Sequence, residues 1–159
     1  LPILYLSRYI IQNKGEYYRL IQSVRDSGDW ESWVLYILRG IDATATETII
    51  LVKQIKILMQ EYKVKMRNCL EKQYSHELLN NIFSHPYTKI EFVMNDIKVS
   101  RITAAKYLNK LVEHGLLEKV KMGTSNFYLN PELTRLLINH SENQNIEGFE
   151  AIESISKMI

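Results

Sequence analysis

A mainly α fold ending in a winged helix-turn-helix with a two-stranded β wing is predicted by three features of the sequence. Apolar residues recur at helical spacing through residues 1–72, and no proline interrupts residues 3–85. Three short helical segments follow Tyr74, the last of them stopped by Gly115. Two alternating segments then flank Met122-Gly123-Thr124-Ser125, which is the pattern of a hairpin.

The elements are expected as follows. A first helix carries Tyr5, Ile10 and Ile11 and ends at Asn13 and Gly15; a second runs from Glu16 to Arg25 and stops at Ser27-Gly28. Asp29 caps a third, on which Trp30, Trp33, Val34, Ile37 and Ile41 share a stripe. The stripe continues through Ile49, Val52, Ile55, Met59, Tyr62 and Met66, giving one long helix or two in line with a break near Gly40 to Thr46. Helix packing accounts for the Trp and Met residues without any ligand. Ser75 caps a short helix from His76 to Ser84, ended by His85-Pro86. Thr88 opens a second short helix through Met94, with the turn at Asn95-Asp96, and Ser100 caps a third from Arg101 to His114. Strands Leu116 to Lys121 and Asn126 to Leu129 form the wing, and Pro131 starts a last helix, Glu132 to Ile138. The domains are therefore drawn as a helical region 1–72, a winged helix 73–140, and a polar linker with a weak terminal helix, 141–159.

Composition bounds the function. A hydrophobic fraction of 46% and a charged fraction of 24% are those of a globular chain, and the longest aliphatic run, Ile49-Ile50-Leu51-Val52, cannot span a bilayer. One cysteine, Cys69, excludes an internal disulfide and a cysteine zinc cluster, which fits a reducing cytoplasm. A net charge of +2 excludes a nonspecific polycation. Residues 74–140 hold eight basic against six acidic side chains, whereas 141–159 hold one against four. The opening Leu-Pro-Ile-Leu-Tyr-Leu-Ser-Arg has no basic region ahead of its apolar one, so it is no signal peptide and reads as a cut into a longer chain.

The helix from Arg101 carries the candidate site. Ala104, Leu108 and Leu111 fall on one stripe, with Tyr107 and Val112 beside it, so the opposite face presents Arg101, Ala105, Lys106 and Asn109, with Lys110 at its margin. Arg reads guanine edges and Asn adenine edges, while Lys and the Ser100 hydroxyl suit phosphates. On the ribbon, Lys119, Lys121, Thr124 and Ser125 are placed for the backbone or the minor groove. Duplex DNA is the expected partner. The alternative is a winged helix that holds a protein target or dimerises, favoured by the modest charge and by a wing tip without arginine. No catalytic set is present: His76, His85, His114 and His140 lack metal-site spacing, and the six glycines are scattered, so no phosphate-cradling loop exists. His114 falls in a last helical turn, where a cation is favoured.

Two segments carry a resemblance. Leu4-Tyr5-Leu6-Ser7-Arg8-Tyr9-Ile10, Asn13-Lys14, Tyr17-Tyr18 and Val24-Arg25-Asp26-Ser27-Gly28-Asp29-Trp30-Glu31-Ser32-Trp33 resemble the stretch after the active-site loop of the Fic family, in members that end in a winged helix. The run from Ser100-Arg101 through Leu116-Leu117 is also similar to that subfamily. The resemblance implies that residues 1–72 are the C-terminal helices of a Fic-like core. Fic proteins transfer AMP from ATP to a hydroxyl of a target protein, through a His-Pro-Phe-x-(Asp/Glu)-Gly-Asn-Gly-Arg loop. That motif is not in this sequence: His85-Pro86-Tyr87 is followed by Thr88-Lys89-Ile90-Glu91-Phe92. The inhibitory Ser/Thr-x-x-x-Glu-Gly/Asn pattern is not there either. The resemblance thus implies a C-terminal piece, with the catalytic loop upstream of Leu1. Such a piece is no enzyme and needs no cofactor or metal, while the intact protein uses ATP and Mg²⁺ on a target protein. A cytoplasmic location and self-association into a homodimer through the long apolar helix are expected.

Overall fold

The computed structural model describes residues 6–123 and 125–140. They belong to two compact units that divide between Lys53 and Gln54. Tyr5, Thr124 and the linker and terminal helix expected from residue 141 onward lie outside the described residues.

The first unit is helical. Helix α1 (Leu6–Gln12) is followed by α2 (Lys14–Ser27) and by the start of α3 (Trp30–Leu70). Gly28 ends α2 at φ 72°, in the left-handed region, and its N–H reaches the Val24 carbonyl at 3.0 Å. Asp29 accepts the Ser32 N–H at 3.1 Å, as a cap requires. The side-chain and backbone donors of Ser32 hold the Asp29 carboxyl below the usual carboxylate range. The interior is aromatic: Tyr17 meets Trp33 at 5.1 Å between ring centres, and Tyr9 meets Tyr36 at 5.4 Å.

No break occurs between Gly40 and Thr46, since α3 is one helix of 41 residues. Gly40 serves packing instead. A Cβ there would sit 2.6 Å from Cδ1 of Tyr9, so the missing side chain is what lets α1 lie against α3. The long stripe also needs correction. Trp33 and Ile37 are partly covered and Tyr36 is buried, but Trp30, Val34, Ile41, Ile49 and Val52 are exposed. Apolar residues occupy more than one face of α3, and the described helices of this unit cover only one.

The second unit begins at Gln54, inside α3. A 3₁₀ turn (Glu71–Gln73) leads to α4 (His76–Ser84), β1 (Tyr87–Thr88), α5 (Ile90–Ile97), α6 (Arg101–Glu113), β2 (Glu118–Met122) and β3 (Ser125–Leu129). Residues 131–140 form a final helix, α7. The order helix, strand, helix, helix and hairpin is that expected of a winged helix-turn-helix. The hairpin is not alone, however. β1 pairs antiparallel with β3, so the sheet has three strands in the order β1-β3-β2. Met66, Leu78, Val93, Ala104, Leu108 and Leu111 are fully buried in one core. The stripe anticipated on α6 is thus the buried one. Burial pushes the Cys69 thiol up, which leaves it a neutral packing group.

Thr88 does not open α5. It lies in β1, buried, and its hydroxyl donates to Asn81 Oδ1 at 2.6 Å, while Asn81 Nδ2 donates to Asp96 Oδ2 at 2.6 Å. Asp96 and Asn95 therefore belong to α5 itself, and the turn is made by Lys98 at φ 60°. A propensity argument cannot see this, because a buried hydrogen bond outweighs the helix-starting tendency of Thr.

The pivot of the unit is Asn130, which is 1% exposed. Its N–H donates to the Pro86 carbonyl at 2.8 Å, and its Nδ2 donates to the Ile82 carbonyl at 3.3 Å. Its Oδ1 receives the Leu133 N–H at 3.1 Å, capping α7, and faces the Tyr62 hydroxyl at 2.9 Å. The same hydroxyl lies 3.1 Å from the Leu116 carbonyl oxygen, so its one proton has two acceptors in reach. Burial is the main cause that pushes the Tyr62 pKa up to about 12, with Glu132 adding to the rise and Arg135 opposing it.

Replacing Tyr62 with Phe is expected to cost about 1–3 kcal/mol, because it strips a buried pair of acceptors of their donor. Since the folded pKa is raised, the Tyr62 contribution is complete below pH 10.0 and lost as pH climbs toward about 12. Urea melts across that window should show the wild type losing its advantage over Tyr62→Phe. A gap that is constant with pH, or absent, contradicts the assignment.

Candidate nucleic-acid interface

Helix α6 is set up by its two ends. Ser100 is extended and its Oγ accepts the Thr103 N–H at 3.3 Å, as an N-cap does. Gly115, at φ 68°, closes the other end, with the Leu116 N–H returning to the Leu111 carbonyl at 2.9 Å. His114 Nδ1 sits 2.9 Å from the Lys110 carbonyl oxygen and so satisfies a terminal acceptor. With Ala104, Leu108 and Leu111 buried, Arg101, Lys106 and Asn109 are exposed and Ala105 and Lys110 are half-buried. This is the face read from the sequence.

The wing adds to the same side. Lys119 stands opposite Tyr128 and Lys121 opposite Asn126 in the β2–β3 register, so strand alternation puts all four on one face. Tyr128 crosses to α6, where its hydroxyl donates to Asn109 Oδ1 at 3.1 Å. The Lys119 ammonium comes within 3.4 Å of that oxygen and 5.6 Å of the Tyr128 ring centre. Asn109 is therefore a strut between helix and wing as well as an exposed residue. Ser125 is exposed at the start of β3, and Thr124 lies outside the described residues.

Three residues were not anticipated. Ile102 is 83% exposed, in the first turn of α6. Lys89 and Asn126 join Arg101 and Ser125 around one cleft of ≈ 100 Å³, which Ile90 and Glu91 complete. Nothing in the local pattern marks these positions, because the cleft draws on the starts of α5, α6 and β3. A second, open groove runs along Ile102, Ala105, Lys106, Asn109, Lys110 and Glu113.

The helix starts differ in charge, and α6, like the short α1, has no acid in its first turn. Helices α2, α3, α4 and α5 each carry a glutamate in the first turn, where the helix dipole favours it. Helix α6 has no acid there and begins on Arg101. The ion pairs of Arg19 with Glu16 and Arg135 with Glu132 involve none of the cations of α6 or the wing. Among those residues, no cluster of three or more His, Cys, Asp or Glu side chains is placed to hold a metal, and no helix is long and apolar enough to cross a membrane.

Fold and surface together define a compact helix-turn-helix module that presents a cationic helix start beside a β wing. Residues 58–133 match the family model described as protein adenylyltransferase SoFic-like, C-terminal domain. This module is thus similar to the C-terminal domain of SoFic-like protein adenylyltransferases.

Because Arg101 opposes the dipole of its own helix, Arg101→Glu should stabilise the fold, by roughly 0.3–1 kcal/mol at low salt. Chemical denaturation with and without added salt checks this. A loss of stability on Arg101→Glu would mean that the arginine has a structural partner.

Proposed function

We propose that the C-terminal module binds duplex DNA, with α6 in the major groove and the wing along the flanking backbone. The observation that carries this reading is the uncommitted cationic start of α6, set beside Lys119 and Lys121. Helix-turn-helix proteins present that end of the helix to base edges. Arg101 suits guanine, Ile102 suits a thymine methyl group, and Lys106 suits a phosphate. In the intact protein, the module serves a Fic enzyme that transfers AMP from ATP, with Mg²⁺, to a hydroxyl of a target protein. The helices before Lys53 complete the helical core of that enzyme, which accounts for the exposed Leu38, Ile41, Ile49 and Val52. The catalytic loop stands outside this sequence, so no residue here performs the transfer.

A second reading rests on the same Ile102. An isoleucine so exposed, above a groove shared with Ala105, also suits a protein surface: the AMP-transfer target or a second copy.

Fluorescence anisotropy with a duplex enriched from a random-sequence pool, at two salt concentrations, separates the readings. DNA binding should weaken steeply with salt, by phosphate neutralisation. Lys106→Ala should lower affinity evenly across sequences, whereas Arg101→Ala should cost about 1–3 kcal/mol and relax the preference at one position. Replacing thymine with uracil at the contacted step should weaken the wild type and leave Ile102→Ala unchanged. If nothing enriches and no duplex binds, the DNA reading fails and the protein-docking one takes its place.

A further inference from the structure

We infer that the cleft bounded by Lys89, Arg101, Ser125 and Asn126 is a phosphate-binding subsite, which in the DNA reading above holds one backbone phosphate beside the reading helix. The inference rests on that reading for the source of the phosphate, but not for the cleft's chemistry.

Four observations converge on it. The cleft is small, at ≈ 100 Å³, and apart from Ile90 its walls are polar side chains from separate elements. Two of them are cationic, and the Arg101 guanidinium is in no ion pair among the described residues. Lys89 is not a swinging surface lysine: its Nζ is seated 4.4 Å above the centre of the Phe127 ring and 5.8 Å from that of Phe92. The Phe127 ring is itself fixed edge-on by Tyr87, at 5.4 Å between centres. An ammonium held in this way keeps its charge at one point, so less ordering entropy is lost when an anion arrives. Finally, α5 starts at the cleft without a side-chain cap, unlike α4 and α6, which are capped by Ser75 and Ser100. The Ser125 hydroxyl and the Asn126 amide supply neutral donors on the opposite wall.

Glu91 also lines the cleft and opposes an anion. It leaves the set of ionised walls at a single positive charge, which fits one phosphate ester of a backbone, itself singly charged, better than a dianion. It also supplies a test of sign, since its removal should strengthen binding while removal of Lys89 weakens it.

The experiment is an amide NMR titration of the whole chain with inorganic phosphate, against sodium chloride at matched ionic strength, followed by the duplex titration. Saturable shifts at Glu91, Arg101, Ser125 and Asn126 are expected. Lys89→Gln should raise the phosphate Kd about tenfold, as for loss of a charged hydrogen-bond partner. Lys89→Arg should retain binding and Glu91→Gln should tighten it. With the duplex, Lys89→Gln should reduce the salt slope by about one. Absence of saturable phosphate shifts overturns the subsite, whether or not duplex binds. Phosphate shifts with an unaltered duplex slope overturn its assignment to the backbone. Phosphate shifts with no duplex binding leave the subsite standing and overturn the DNA reading. Unaltered thermal unfolding of Lys89→Arg guards against a mere folding defect.

Discussion

The second unit depends on one buried amide. A chain of alternating short helices and strands leaves many backbone groups at element ends, and each must find a partner or cost free energy. Asn130 serves several at once: the Ile82 carbonyl in the last turns of α4, the Pro86 carbonyl before β1, and the Leu133 N–H at the head of α7. Tyr62, reaching in from α3, completes the set and adds the Leu116 carbonyl after α6. Five segments are thereby indexed to Asn130 and its Tyr62 partner. An aspartate could not donate to Ile82, and a leucine would leave the Ile82 carbonyl and the Leu133 N–H without their side-chain partner.

That indexing has a consequence for the exposed face. Fixing Leu116 fixes the exit from α6, and fixing Asn130 fixes the end of β3. The span between them is the wing. Tyr128 and Asn109 then join wing to helix near the middle of both. Hence the cations on α6 and β2 belong to one rigid surface, and the start of α5 meets the start of α6 across the cleft at Lys89. The minor sheet strand has the same role. By pairing with β3, Tyr87 and Thr88 bring Lys89 to the register position beside Phe127.

Much of this was legible in the sequence, because it rests on local signals. The caps Asp29, Ser75 and Ser100 and the stops Gly28 and Gly115 are short-range features, and they mark the helices well. The buried stripe of α6 follows from spacing alone. What escaped is nonlocal. Thr88 looks like a helix start until Asn81 takes its hydroxyl, and Asn130 looks like an ordinary loop residue before Pro131. The start of the second unit at Gln54 was hidden for a similar reason: a continuous helix gives no turn signal where its packing partners change. The site was half legible. The face of α6 could be read from periodicity, whereas the cleft could not, since its walls are joined only by the fold.

A local electrostatic rule kept by α2 to α5 is broken at the head of α6, as it is at the short α1. Acidic residues in the first turn stabilise α2, α3, α4 and α5. The same advantage was open to α6, whose Ser100 cap commonly precedes a glutamate three residues on, yet Thr103 stands there and Arg101 comes first. A positive side chain on a positive helix end is a cost borne at an exposed position. Natural sequences tolerate such local conflicts where a ligand resolves them. An anion at the head of α6 would do so by compensating the guanidinium, the dipole and the lysine on Phe127 together.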